Sequence, residues 1–371
     1  MAEVADGVAF VPSFANVAAV DTADGLVLVD TGSSFMARSI HRTLRAWTPS
    51  RLHTALYTHG HIDHVLGTPV WDAEAAEQGW PRPEVVAHEA VPERFDRYWP
   101  ANYHLVGKDI LRFHAVFWPA MLLSAGLELP ERVFGHGFLT REGQKMGKSL
   151  GNVLDPEALL ERCGSDAVRW YLLRDIPFGE DGDFQQQRFQ DLVNNDLANT
   201  IGNLLNRTSS MARKWFEGSV PPALAAADDQ HPLAARCRDN RAIYDQAMEQ
   251  LDFRNAAEAV LRLAIEANGF LNEQAPWKQM KLPDQQERVA ADLYAVLETC
   301  RWIGLLLAPL VPDLSSRLLL QLAQDHVDGS SDAPATPTAW SQALHWGGLI
   351  SGLPLPEPVP VMQRLELDAP L

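Results

Sequence analysis

Two short stretches of this sequence carry side chains of the types and spacing that chemistry needs. The first is Thr58-His59-Gly60-His61-Ile62-Asp63-His64, where His59, His61, Asp63 and His64 fall within six residues. Imidazole nitrogen and carboxylate oxygen suit zinc or iron, and their alternation in a turn lets several aim at one point. The second is Lys145-Met146-Gly147-Lys148-Ser149. Its two ammonium groups, Lys145 and Lys148, make a cationic clamp suited to phosphate oxygens. Gly147 is expected to take a positive φ and let the backbone fold over a ligand. On their own residues, the lysines also describe a solvated surface pair, and the histidines a satisfied polar turn.

A third set is spread along the chain. Asn199, Asn203 and Arg207 recur every four residues, which places them on one face of a helix. Amide and guanidinium groups hydrogen-bond the edges of unstacked bases, and an aromatic ring can stack on them. Trp277, following Ala275-Pro276 at a predicted helix end, is placed to be that ring. Arg213 and Lys278 are further candidates, to hold a nucleic-acid backbone. Spacing alone also permits polar helix–helix contacts and a buried tryptophan.

The elements that must position these groups follow from patterning. A strand over 25–30 ends in Asp30-Thr31-Gly32, and a helix over 34–47 offers Phe35, Ile40, Leu44 and Trp47 as one face. A strand over 52–57 leads into the histidine run. A helix is predicted over 111–125 and a strand over 132–139 ahead of the lysine loop. Helices over 155–163 and 166–173 follow it, with Asp155-Pro156 as N-cap and first helical residue. From residue 184 the pattern is helical throughout: 185–216, 232–251, 255–271, 286–307 and about 314–323. Prolines 221, 222, 276, 283, 309 and 312 interrupt it where antiparallel helices would end. This bundle has apolar faces of its own and is expected to fold unaided.

Composition sets the bounds. A chain of 371 residues, 46% apolar and 21% charged, is long enough for two or three globular domains. A formal charge of −17 argues against general affinity for nucleic acid, DNA included, while leaving room for a local basic patch that holds tRNA. No apolar run reaches the ~18 residues of a membrane span. The N-terminus lacks the basic start of a signal peptide. Cys163, Cys237 and Cys300 suggest neither a disulfide framework nor a thiolate zinc knuckle. A cytoplasmic location is the expectation.

Two resemblances sharpen these readings. Gly135-His136-Gly137-Phe138-Leu139-Thr140, the lysine loop and Ser149-Leu150-Gly151-Asn152 together resemble the signature-loop region of class I aminoacyl-tRNA synthetases. Leu105-Val106-Gly107-Lys108-Asp109-Ile110, Phe113-His114, Phe117-Trp118-Pro119-Ala120 and Asn272-Glu273-Gln274-Ala275-Pro276-Trp277 narrow the resemblance to methionyl-tRNA synthetases, from about residue 104 onward. It implies ATP with Mg²⁺, methionine and a methionine tRNA with a CAU anticodon as ligands. It implies Lys145 and Lys148 as catalytic groups on the α-phosphate, and Gly107, Asp109, His136 and Lys148 as ATP contacts. Phe113 and His114 would form the methionine pocket, and Asn199, Asn203, Arg207 and Trp277 would read the anticodon. Gly147 stands where that family usually has serine. The family's H-I-G-H signature, from the first half of its nucleotide-binding domain, has no counterpart here, so methionine activation is expected to be impaired.

The first hundred residues resemble the metallo-β-lactamase hydrolase superfamily, through Val29-Asp30-Thr31-Gly32 and the His59–His64 cluster. That resemblance implies His59 and His61 on one metal and Asp63 and His64 on a second, zinc being the expected ion. The later ligands of that cage are not found, and His88 is given no ligand role. One text gives way to the other near Tyr103 without a Gly-, Ser- or Pro-rich linker, which reads like a joined reading frame. The expected architecture is thus α/β plus α. Residues 1–103 would be half of an αββα metallo-β-lactamase-like sandwich, 104–183 a partial Rossmann-type synthetase catalytic remnant, and 184–371 the anticodon-binding bundle and tail. A methionine-tRNA ligase is the leading reading; a metal-dependent hydrolase and a non-catalytic tRNA-binding module are the alternatives.

Overall fold

A computed structural model describes residues 1–13, 15–223, 230–324 and 342–367, without the side chains at 62, 92, 94–96, 125 and 148. Contacts divide the chain into two compact units, residues 1–104 with 115–132, and residues 105–114 with 133–371.

In the first unit, β1 (Ala2–Ala5), β2 (Val8–Val11), β3 (Val17–Thr22) and β4 (Gly25–Val29) run antiparallel in sequence order. From β4 the sheet continues in parallel through β5 (Leu52–Leu56) and β6 (Glu84–Val86). Parallel neighbours need crossovers. Helix α1 (Ser34–Arg45) supplies the first, and the short α2 (Ile62–Val65) and α3 (Thr68–Gln78) the second. Val17, Ala19, Leu26 and Leu28 point inward at period two and meet Ile40 and Leu44 of α1 and Trp71 of α3. Phe35, expected on the packed face, is instead 68% exposed. Five residues at about 100° each set it well off the stripe of Ala37, Ile40 and Leu44. After β6 comes α4 (Ala90–Tyr98). His88 lies past the end of β6, where its Nδ1 accepts the Ala90 N–H at 3.1 Å.

Strands β7 (Tyr103–Gly107) and β8 (Arg132–His136) pair with each other. The helix predicted over 111–125 opens as a π-helical turn, Phe113–Phe117, before α5 (Trp118–Ala125). The strand predicted over 132–139 breaks at Gly137, where a Cβ would lie 2.0 Å from the Glu180 carbonyl oxygen. It resumes as β9 (Leu139–Arg141), flanked by β10 (Gln144–Lys145) and, in parallel, by β11 (Gly182–Phe184). Helices α6 (Pro156–Cys163) and α7 (Ser165–Asp175) lie between β10 and β11 in sequence. Asp155 caps α6 by accepting the Glu157 N–H at 3.0 Å.

The bundle consists of α8 (Gln186–Leu192), α9 (Asn203–Trp215), α10 (Pro232–Glu249), α11 (Phe253–Gln274), α12 (Pro276–Gln279), α13 (Gln286–Leu307) and α14 (Pro312–Leu320). The helix expected over 185–216 is interrupted by a π-helical stretch, Val193–Gly202, between α8 and α9. Side chains stabilise the wider turn. Thr200 Oγ1 donates to the Asn195 carbonyl at 2.7 Å, and Asn268 Nδ2 donates to the Thr200 carbonyl at 3.1 Å. Buried Asp196 accepts Trp170 Nε1 at 3.1 Å. Helix α13 is central, buried almost all round from Val289 to Leu307. Its Glu298, fully buried, accepts Arg301 Nε at 2.9 Å and the Gly348 and Leu349 N–H groups at 3.1 and 2.8 Å. Arg301 in turn donates to the Ala343 and His345 carbonyls at 2.8 and 2.6 Å. Further along, Asn194 takes both the N–H and the carbonyl of Leu365, at 2.7 and 3.0 Å, and Gln321 does the same for Val359 at 3.2 and 2.7 Å. Amide side chains thus hold an extended C-terminal segment by its backbone.

Candidate functional site

The histidine run sits at the C-terminal end of β5 and enters α2. Asp30, buried at the end of β4 with φ 61°, accepts the Thr58 N–H at 2.8 Å and lies 2.7 Å from His64 Nδ1. Burial alone would raise its pKa. The hydrogen bonds from His64 and Thr58 outweigh that and hold the carboxyl below its usual range. His59 Nε2 lies 3.0 Å from His61 Nδ1, and His59 Nδ1 lies 3.0 Å from the Thr58 hydroxyl. Asp63 approaches His64 Nε2 at 3.5 Å. His59, His61 and His64 thus each set at least one ring nitrogen against another polar atom of this region. Among the described residues no group of three or more His, Cys, Asp or Glu side chains is arranged to hold a metal ion. The run by itself converges in pairs, His59 with His61 and Asp63 with His64, which is two ligands for each metal expected there, half of a four-ligand shell.

In the second unit, Gly107, Asp109 and His136 come together. A Cβ on Gly107 would lie 2.6 Å from Asp109 Oδ1 and 4.0 Å from His136 Cε1, so bare backbone faces the carboxylate and the imidazole edge. The Lys108 N–H donates to the His136 carbonyl at 2.9 Å, fixing the two strand ends. Lys108 Nζ is engaged by Asp181 at 2.6 and 2.7 Å. Phe113, more than half exposed, and His114, whose Nδ1 lies 3.0 Å from the Ile110 carbonyl, share the π-helical turn.

The lysine loop begins on β10, where Lys145 is exposed. Met146 packs against the bundle core between the two lysines. Asn152 clips the loop: its Oδ1 accepts the Gly147 N–H at 2.9 Å, and its Nδ2 donates to the Lys145 carbonyl at 3.1 Å. Gly147 does not take the positive φ expected of it; Gly151 does, at 63°. A Cβ on Gly147 would meet Leu150 at 3.6 Å, an ordinary contact. The Lys148 side chain lies outside the described residues.

The bundle brings Arg207 and Trp277 together. The Arg207 guanidinium lies 5.8 Å from the Trp277 ring centroid and donates to Asn272 Oδ1 at 3.2 Å. Pro276 is buried and Ala275 turns the chain at φ 45°, which sets Trp277 out at 37% exposure. Beside them is a cleft of about 310 Å³ lined by Asn206, Arg207, Ser210, Met211 and Trp277. Asn199 and Asn203 do not line it. Asn203 is exposed on the first turn of α9. The Asn199 Oδ1 accepts Arg364 at 2.5 Å. Arg213, expected to contact a nucleic-acid backbone, is committed to the Leu355 carbonyl and to Glu357. The sequence reading missed Asn206 and Ser210. Their own four-residue spacing, one position before Asn203's successor Arg207 and three after it, was the available signal.

Three family models match. The one described as Metallo-beta-lactamase superfamily covers residues 11–143, tRNA synthetases class I (M) covers 83–209, and Anticodon binding domain of methionyl tRNA ligase covers 220–347. Methionine--tRNA ligase of Thermosynechococcus vestitus is 47% identical over 273 residues, 73% of this chain and 51% of the relative. That of a Nostoc species is 48% identical over 276 residues, 73% of this chain and 50% of the relative. A solved Mycobacterium tuberculosis methionyl-tRNA synthetase in complex with methionyl-adenylate is similar at TM-score 0.65 and 37% identity, covering 82% of this chain and 57% of that one. The chain spans about half the length of the curated relatives it matches. From residue 83 onward the chain therefore belongs to the class I methionyl-tRNA synthetases, as a fragment of their catalytic domain followed by their anticodon-binding domain, with a metallo-β-lactamase superfamily match at its front.

Proposed function

We propose that this chain is a methionine-tRNA ligase by descent, one that binds methionine tRNA through its bundle and has impaired amino-acid activation. The observation that carries the reading is the Arg207–Trp277 pair over its cleft, an aromatic face and a cation offered together to an unstacked base. Trp277, Arg207, Asn203 and Asn199 read a CAU anticodon. In the catalytic fragment Gly107, Asp109 and His136 take the adenosine, and Phe113 and His114 take the methionine side chain. Lys145 and Lys148 stabilise charge on the α-phosphate of ATP, bound with Mg²⁺, as the methionine carboxylate displaces pyrophosphate. The relative solved with methionyl-adenylate supports this assignment. A doubly wound sheet binds nucleotide in a crevice built from two halves. Here the segment ahead of the fragment matches a different superfamily, which supports weak activation. We place the parts at 1–103, 104–183 and 184–371, and the protein in the cytoplasm.

Methionine-dependent exchange of pyrophosphate into ATP, measured beside binding of a CAU stem-loop, tests the reading. Expected are stem-loop binding that is lost in Trp277→Ala, and exchange at least ~10³-fold below that of a full-length relative. Failure of the unmodified chain to bind the stem-loop would overturn it.

A further inference from the structure

Resting on the reading of Lys145 as part of a phosphate clamp, we infer that Asp183 is a positioning residue for that clamp, acting through Thr140 and Gly143. Lys145 belongs to β10, a strand of two residues, and β9 beside it has three. A hairpin that short is marginal in water and needs a further partner. Strand β11 supplies it. The register sets Asp183 opposite Thr140 and Thr140 opposite Lys145, so the three stand in one row across the sheet. Asp183 Oδ1 accepts the Thr140 hydroxyl at 2.6 Å and the Gly143 N–H at 2.8 Å. One carboxylate oxygen thus grips both β9 and the turn that leads into β10. The other accepts Gln185 Nε2 at 3.0 Å. The Thr140 bond above all holds this carboxyl below its usual range. In the turn, Glu142 and Gly143 take φ of 49° and 74°, and the Glu142 N–H donates to the Phe184 carbonyl at 3.1 Å. Asp183 is itself anchored, because its carbonyl accepts the hydroxyl of the fully buried Tyr171 at 3.0 Å. Two strand spacings, about 10 Å, separate its backbone from that of Lys145, so it acts through the hairpin and not by contact. Its charge alone would oppose a polyphosphate. Positioning therefore predicts the opposite sign from electrostatics when the carboxylate is removed.

The test uses the full chain, with dissociation constants for ATP with Mg²⁺ and for adenosine read by calorimetry at fixed salt. Asp183→Ala should weaken ATP by at least about tenfold and leave adenosine within about twofold. Asp183→Asn keeps the accepting oxygen and loses the charge, so it should hold both ligands within about twofold of the unmodified chain. Thr140→Val, which removes only the hydroxyl, should weaken ATP by part of the Asp183→Ala factor. Added to Asp183→Ala it should weaken ATP no further, because the two share one bond. Thr140→Val also decides the matter if Asp183→Ala does not fold. Loss of ATP and adenosine alike would mark a merely structural role. That result, an unchanged ATP constant, or Asp183→Asn as weak as Asp183→Ala would sink this inference and leave the lysine reading standing. An unmodified chain that holds ATP no tighter than adenosine would remove the lysine reading, and this inference with it.

Discussion

Gly147 stands between the two lysines without needing to be glycine. Its φ is not positive and the space beside it is open to a Cβ. Gly147→Ser should therefore leave the melting temperature within about 2 °C, since it lowers unfolded-state entropy and meets no clash. Asn152 matters more, because its one amide ties both sides of the loop. Asn152→Ala should speed tryptic cleavage after the exposed Lys145 by about tenfold through local opening; an unchanged cleavage rate would show the clip to be idle. Asp292, buried on α13, has an Oδ2 without a hydrogen-bond donor, and Arg288 Nε stands 3.9 Å off. Burial pushes its pKa up to about 6. A carboxyl raised on folding favours its neutral form, so the stability is present below the unfolded pKa near 3.8 and is lost as pH rises through 6. Asp292→Asn should gain on the order of 2 kcal/mol over the unmodified chain at pH 7.5, shrinking to nothing by pH 4 in urea titrations.

At the scale of elements, two networks hold the sites. Asp30 joins the end of β4 to Thr58 and His64, so Asp30→Ala should free several polar groups at once and cost about 2–3 kcal/mol. Faster amide exchange across 57–65, with the bundle amides unaffected, would report it. Arg301→Met would leave Glu298 charged and fully buried, at about 3–5 kcal/mol; Glu298→Gln combined with it should recover most of that loss in denaturant melts. Much of this was legible beforehand. The 286–307 helix is where apolar patterning puts it, because burial on every side leaves no competing signal. The Asp155 cap and the proline-marked helix ends read directly as local chemistry. The π-helical stretches at Phe113–Phe117 and Val193–Gly202 did not; one of the side-chain bonds that sustain the second comes from Asn268, on another helix. The metal expectation meets a related limit. Ligand spacing records which residues can converge, not whether the remaining shell exists to make them do so.

On the whole molecule, a net charge of −17 keeps polyanions at a distance, so the RNA affinity proposed above would have to come from the cleft and its cation, Arg207. An unrelated stem-loop should bind ~100-fold more weakly than the CAU one at 150 mM salt, and a filter-binding series would show it. The two family matches overlap over residues 83–143, and the compact units interleave there, with 105–114 grouped apart from 115–132. Sequencing transcripts from intact cells across codons 95–110 should reveal a frame break if this is a joined reading frame, and an unbroken message would count against that origin. The grip of Glu298 and Arg301 on residues 343–349 also sets an order of events during synthesis. The central helix emerges from the ribosome with a buried ion pair still lacking the four backbone partners supplied by Ala343, His345, Gly348 and Leu349. Translation must pass residue 349 before that ion pair has all four of these backbone partners.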